Sequence, residues 1–244
     1  MISNEATKHF KRQCEYKRLE VLSGLLKKGD SVLDVGCGIG TYTSTPLAYL
    51  PVSITAIDSD KKTVDYASER NQHENLEFLC ACGEYFDDDE QYDLIVCSHI
   101  LEHTPVPIVL LGNMKRLLKD DGVLVLAIPN GYGVFELQNC IPRLLLKTAW
   151  GKRLITKMLG NKAKDTLNMD SPHIHFFTVD KIKKLLKLSG WQIINQVNDE
   201  FLGGIVFDRI FAKLPAMARW NVGIADSLPA QWTNGWIFVC EKKK

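Results

Sequence analysis

The stretch Ser31-Val32-Leu33-Asp34-Val35-Gly36-Cys37-Gly38-Ile39-Gly40 decides how this chain is read. Val32, Leu33 and Val35 make a short apolar run suited to a buried strand, and Asp34 lies near its end. Gly36, Gly38 and Gly40 alternate behind it, and a helix is expected from about Thr41. A strand that turns through glycines into a helix N-terminus lets the backbone approach a ligand closely. Its free N–H groups attract polar or anionic groups. The pattern Asp34-x-Gly36-x-Gly38-x-Gly40 departs from the G-x-G-x-x-G fingerprint, whose turn hugs a pyrophosphate. A carboxylate beside the turn repels a pyrophosphate and attracts a cation. Taken alone, the stretch also fits an ordinary glycine-rich strand-to-helix turn.

Working outward, residues 6–27 read as a helix with Phe10, Leu19, Val21, Leu22, Leu25 and Leu26 on its apolar side, stopped by Lys28-Gly29-Asp30. Behind the glycine turn a helix is expected over 41–49, ended by Pro51, then a strand over 52–57 with Asp58 at its end. Asp60 is placed to cap a helix running to about 71. Strands are expected at 76–80, 93–97 and 123–128, with a helix from Pro107 to Lys119 and a turn at Asp120-Asp121-Gly122. This alternation predicts a parallel sheet with right-handed crossovers. Residues at about 130–172 read as a basic helical insertion, carrying Arg143, Lys147, Lys152, Arg153, Lys157, Lys162 and Lys164. A helix over 178–188 stopped by Gly190, a strand over 191–197, an irregular elaboration at about 198–231 and a strand over 236–240 complete the chain. No internal repeat or low-complexity linker is visible, so residues 1–244 are read as a single domain.

The length of 244 residues suits one α/β domain with elaborations, and 45% hydrophobic residues supply a sizeable core. A net charge of +1 gives no bulk electrostatic argument for nucleic acid as a partner. The seven cysteines are odd in number and irregularly spaced, and Cys80-Ala81-Cys82 lacks a second pair to complete a zinc site. That usage fits a reducing cytoplasm. The polar N-terminus shows no signal-peptide pattern, and no apolar run approaches the ~20 residues that span a bilayer.

The 31–40 stretch resembles motif I of the class I S-adenosylmethionine methyltransferases, whose ligand carries an ammonium, a sulfonium and only a carboxylate. A second segment, Tyr92-Asp-Leu-Ile-Val-Cys-Ser-His-Ile-Leu-Glu-His103-Thr-Pro-Val-Pro107, resembles motif IV of small-molecule methyltransferases. Its Leu101-Glu102-His103 is similar to the quinone-biosynthesis O-methyltransferase branch. The two motifs are independent and correctly ordered. A third segment, Pro172-His173-Ile-His175-Phe176-Phe177-Thr178, resembles a His-x-x-Phe-Phe-Ser/Thr pattern of methyltransferases in bacterial polysaccharide and natural-product pathways. The resemblance covers roughly residues 30–240. It implies a Rossmann-like, seven-stranded, mostly parallel sheet with helices on both faces. The last strand inserts antiparallel between the fifth and sixth.

The resemblance also implies a cofactor, S-adenosyl-L-methionine, with S-adenosyl-L-homocysteine as product. Its expected contacts are Asp34, Gly36, Cys37, Gly38 and Gly40 in the first motif, Asp58 and Ser59 after strand two, Cys82 and Gly83 after strand three, and Ser98 at the end of strand four. Asp58 is placed to accept hydrogen bonds from a ribose diol, although it also suits a helix cap. Cys82 stands where the family usually has an acid, so backbone groups of Cys82 and Gly83 are the substitutes. His99, His103 and His173 are the candidate catalytic residues, as general bases for a hydroxyl acceptor. In some relatives Glu-x-x-Glu-His binds a divalent metal. Here His99 occupies the first position, and no metal is expected. Internal hydrogen bonding of Glu102 and His103 is the competing reading.

The implied reaction is displacement of the sulfonium methyl by an acceptor lone pair. It is driven largely by proximity and orientation, worth ~7–11 kcal/mol. The expected acceptor is a small molecule, through an oxygen of a sugar, quinone-like or lipid-linked compound. Asn130 or Tyr132 would line its pocket. Residues 141–159 mix apolar and basic side chains and read as a mobile lid or a peripheral membrane contact. Phe201, Ile205, Phe207, Ile210, Phe211, Met217 and Trp220 extend the core, line an apolar acceptor pocket or form a dimer surface, so the chain is a monomer or a homodimer. Two other classes stay open: an NAD-dependent oxidoreductase, and a module that binds the cofactor without turnover.

Overall fold

The computed structural model describes residues 5–10, 12–134, 136, 148, 153, 173–211 and 213–243. Strands β1 (Ser31–Val35), β2 (Ser53–Asp58), β3 (Leu76–Cys80), β4 (Tyr92–Ser98), β5 (Leu118–Pro129), β6 (Trp191–Asn198) and β7 (Gly235–Lys242) form one sheet in the order β3-β2-β1-β4-β5-β7-β6. β1 pairs in parallel with β2 and β4, β2 with β3, and β4 with β5, whereas β7 runs antiparallel to both β5 and β6. The strand order reverses beside β1. In open α/β sheets the carboxyl ends of the strands form a ligand crevice at such a point.

Successive side chains of a strand point to opposite faces, and both faces of this sheet are covered. Leu33, Val35, Ile95 and Cys97 pack on one side with Leu110, Leu111, Met114 and Leu117 of α4 (Pro107–Leu117) and Ile182 and Leu186 of α5 (Val179–Leu188). Val32, Ile54, Leu94 and Val96 pack on the other with Leu19 and Leu22 of α1 (Gln13–Leu25). Each fully buried leucine contributes roughly 1.5–3 kcal/mol of hydrophobic stabilisation. Helix starts follow local chemistry. The Asp60 carboxylate accepts from Lys62 N and Thr63 N at the start of α3 (Lys61–Arg70), and Thr178 Oγ1 accepts from Lys181 N at 3.3 Å. Gly190, at φ 75°, follows the C-cap of α5.

Four boundaries differ from the sequence reading. The first helix begins at Gln13 rather than residue 6. α2 (Ser44–Leu47) is a single turn because the glycine loop runs on to Thr43. Asp120-Asp121-Gly122 is part of β5, with a register shift opposite Tyr92 and Leu94 absorbing the expected turn. The elaboration at 198–231 is not irregular: it holds α6 (Ile205–Phe211), α7 (Pro215–Ala225) and a 3-10 turn at Ala230–Trp232. Pro215 starts α7, where its missing N–H costs nothing. Most of the predicted insertion at 130–172, and the lid or membrane segment at 141–159 apart from residues 148 and 153, lie outside the described residues. No helix among the described residues is long and apolar enough to cross a membrane.

Candidate active site

At the carboxyl ends of β1, β2, β3 and β4 lies a cavity of about 550 Å³. Gly36, Asp58, Ser59, Cys82 and Gly83 line it, with Ile100 and His103 from the loop after β4. Gly36 (φ 68°) is required twice over. Its N–H donates to Ile57 O at 2.8 Å, and a Cβ there would lie 1.9 Å from Ile100 Cδ1. Gly83 has no room for a side chain either, since a Cβ would lie 2.6 Å from Val35 Cγ1. Asn113 fixes that loop by donating to Gly83 O and Phe86 O, each at 2.8 Å.

The remaining first-motif residues shape the wall rather than line the cavity. Gly38 N–H donates to Asp58 Oδ2 at 2.9 Å, and Asp60 N–H donates to Oδ1 at 3.0 Å, so Asp58 ties the glycine turn to the end of β2. A Cβ on Gly38 would meet no protein atom within 4 Å, leaving its face open. Gly40 backs onto the Phe78 ring. Cys37 is half-buried, and burial, with Asp34 and Asp58 adding repulsion, raises its thiol pKa. Cys82 is exposed, and its thiol donates to Glu84 Oε2 at 2.9 Å. Ser98 ends β4 with its Oγ buried and without a hydrogen-bond partner.

Asp34 is buried beneath the turn and accepts from the Ser44 hydroxyl. Burial pushes its pKa up from 3.8 to about 6, against the pull of Ser44 and of the Arg18 guanidinium. Arg18, buried on α1, also places a terminal nitrogen 3.3 Å from His99 Nε2, and its Nε has no hydrogen-bond partner. That contact makes His99 Nε2 the acceptor and directs Nδ1–H towards Glu102 Oε1, 3.5 Å away. His99 has φ 56°, the only positive value at a non-glycine among the described residues, and its N–H donates to Ala127 O at 2.9 Å. The strained turn at the end of β4 thus aims His99 at α1 and His103 into the cavity.

His103 and His173 meet edge to face with ring centroids 4.9 Å apart. Ile174 N–H and His175 N–H both donate to Glu102 O, at 2.8 and 3.0 Å, which draws the 173–177 segment onto the loop after β4. His173 Nδ1 lies 2.9 Å from Glu136 Oε1, and its side chain is only 7% exposed, so it faces His103 rather than open space. Glu102 is buried and neither carboxylate oxygen makes a hydrogen bond. Glu102, His103 and His173 each offer a ligand atom, all within 4.8 Å of one another. Asn130 does not line a pocket: its amide donates to Gln231 O and Thr233 O and accepts from Tyr132 N, fastening β5 to the loop before β7. Tyr132 is exposed. Sequence reasoning missed Arg18 and Glu136, which carry no local motif, and Ile100, an apolar residue inside the second motif.

The strand order and the acid-bracketed glycine crevice define the class I S-adenosylmethionine-dependent methyltransferase fold. A family model described as a methyltransferase domain matches residues 7–196, and the chain belongs to that family. A ubiquinone biosynthesis O-methyltransferase of Glaesserella parasuis serovar 5 is 34% identical over 110 residues, 42% of this chain and 46% of that protein. The match therefore spans under half the length of that curated relative. Among solved structures, the 1,6-didemethyltoxoflavin-N1-methyltransferase of Burkholderia thailandensis, with its substrate and S-adenosylhomocysteine bound, superposes with a TM-score of 0.58 at 14% identity, over 96% of this chain and 80% of that one. The [4+2]-cyclase SpnF superposes with a TM-score of 0.61 at 18% identity, over 93% and 80%. At such identities these likenesses concern the fold.

Proposed function

We propose that the protein transfers a methyl group from S-adenosylmethionine to an oxygen of a small-molecule acceptor, a sugar, quinone-like or lipid-linked compound. The observation that carries this reading is the glycine turn bracketed by Asp34 below and Asp58 beside it, which suits a cationic nucleoside ligand and repels a pyrophosphate. When bound, the cofactor supplies an electrophilic methyl. Asp58 accepts from the ribose hydroxyls, and the backbone at Gly36 and Gly83 admits the nucleoside. Arg18, buried and short of acceptors, pairs with the ligand carboxylate. His103, in the cavity wall, takes the acceptor proton, while His173 and Glu136 hold its ring. Base catalysis of this kind is worth ~10²–10⁴-fold.

Isothermal titration tests it: S-adenosylmethionine and S-adenosylhomocysteine bind and NAD does not. Gly38→Val abolishes binding, because a side chain there enters the ligand's space and a β-branched residue resists φ 54°. NAD binding, or a Gly38→Val variant that binds like the parent, refutes the site. A fold shared with a cyclase makes turnover a separate question, answered by methyl transfer to candidate acceptors. One observation favours a second reading: Glu102 is buried with neither oxygen hydrogen-bonded, beside His103 and His173. Divalent-ion assistance there predicts turnover lost to a chelator and restored by the ion. Turnover indifferent to chelation leaves the histidine reading.

A further inference from the structure

A second cavity, of about 350 Å³, opens on the far side of the glycine turn, among α1, α6, α7 and the segment after β6. Its polar lining includes Arg12, Glu15, Tyr42, Glu200, Asp208 and Asn221, with Phe211 as an apolar wall. Its walls connect to the crevice through α1 and the glycine loop. Tyr42 follows the glycine turn directly, and Glu15 and Arg18 are both buried on α1, about 4.5 Å apart along the axis. Glu15 faces this cavity and Arg18 touches His99. β6 is antiparallel to β7, which is antiparallel to β5, so Glu200 leaves the sheet at the same edge as the loop after β4.

The charge in this cavity does not balance. Among the described lining residues, Glu200 and Asp208 face the single guanidinium of Arg12, and Glu15 is engaged by Arg12 N–H at 3.1 Å. Arg12 pairs with Glu200 and stands 3.7 Å from Asp208. Glu200 is 3% exposed, yet its hydrogen bonds from Arg12 and from Asn234, the latter at 3.2 Å, both fall on Oε1. Among the described residues, Oε2 receives none. Behind it Asp199, also buried, has an Oδ1 without a partner. Buried charges are stable when paired, so among the described residues Glu200 and Asp208 are one cation short.

We propose that this cavity takes one end of the acceptor, a protonated amine held by Glu200 Oε2 and Asp208 and flanked by the Tyr42 and Phe211 rings, while the reacting oxygen lies in the crevice by His103. The proposal rests on the methyltransferase reading. Burial raises the Glu200 pKa from 4.5 to about 7, against the Arg12 guanidinium and with Asp199 and Asp208 adding repulsion. Burial raises Asp208 likewise. Among the described residues, Glu15, Tyr42 and the buried Cys14 thiol are further titratable groups around Glu200, with Arg18 acting on Cys14. An ammonium supplies the missing counter-charge and is released as Glu200 takes up a proton.

The test uses protein saturated with S-adenosylhomocysteine, its affinity first measured by titration. Benzylamine and benzyl alcohol, matched in shape and differing in charge, are then titrated by ligand-observed NMR at pH 8. Benzylamine is expected to bind about tenfold tighter or more, and its affinity to fall between pH 8 and pH 6 while that of the alcohol stays level. Glu200→Gln and Asp208→Asn should each erase most of the preference at unchanged S-adenosylhomocysteine affinity. If Glu200→Gln fails to fold, Asp208→Asn decides alone. Equal affinity for the two probes, or a preference that survives in the folded variants, overturns the proposal while leaving the cofactor reading standing. Failure of S-adenosylhomocysteine to bind the parent overturns the methyltransferase reading instead.

Discussion

Gly36→Ala is the sharpest perturbation of the crevice, because the structure separates its cost into two parts. The backbone sits at φ 68°, in the left-handed region, where an L side chain costs roughly 1–2 kcal/mol. The added Cβ would also lie 1.9 Å from Ile100 Cδ1 and 2.3 Å from Cγ1. Relief requires Ile100 to leave its rotamer or the turn to shift, an overpacking cost of about 1–3 kcal/mol. The total, about 2–5 kcal/mol, is a large part of the ~5–15 kcal/mol that holds a typical domain together. Ile100→Ala removes the second part and leaves the first. Urea unfolding of the parent, both single variants and the double variant should give a coupling of about 1–3 kcal/mol in favour of the double. Because Ile100 lines the cavity proposed for the cofactor, S-adenosylhomocysteine affinity should fall about tenfold or more in Gly36→Ala and recover partly in the double variant. Additive effects within about 0.5 kcal/mol, or a Gly36→Ala protein as stable as the parent, would refute the packing argument.

Asp34 gives up its proton at 3.8 in the unfolded chain and at about 6 in the folded protein, so between these values the folded state holds the extra proton and stability falls as pH rises. The difference corresponds to about 3 kcal/mol, fully lost above that window, and unfolding followed against pH should lose this slope in Asp34→Asn. Arg18→Met should weaken S-adenosylhomocysteine binding but leave 5′-methylthioadenosine, which lacks the amino-acid portion, unaffected; equal losses for both ligands would remove Arg18 from the carboxylate role. His103→Gln should lower turnover at intact cofactor affinity and erase the acidic limb of the pH–rate profile, with His99→Gln and His173→Gln acting less. Near-parent turnover in all three would leave catalysis to orientation alone. Thr178→Ala removes the cap of α5 and should cost about 1 kcal/mol of stability in urea unfolding without changing cofactor affinity.

What the chain discloses on its own is local. Val32 to Gly40 is legible because a strand, a turn with positive φ at Gly36, Gly38 and Gly40, and the apolar alternation of Leu33 and Val35 are fixed by neighbouring residues. Leu76–Cys80 appears in the structure with the predicted boundaries, and Asp60 and Thr178 cap the helices they precede, for the same reason. The place of β7 between β5 and β6 came from family resemblance, since periodicity carries no strand order. Tertiary structure alone decided the rest. Asp120-Asp121-Gly122 carries turn residues, yet it is taken up as an irregularity within β5, between the Leu118 and Val123 pairs with β4. His173 reaches His103 only because Ile174 and His175 hydrogen-bond to Glu102 O, and Arg18 meets His99 only because α1 packs over the end of β4. Arg12 and Glu200 are 188 positions apart, and nothing in either neighbourhood announces the other. Periodicity and capping are written along the chain by interactions within a few residues. An ion pair, a cavity or a burial-shifted carboxyl arises where distant segments exclude water together, and only the folded arrangement specifies which segments those are.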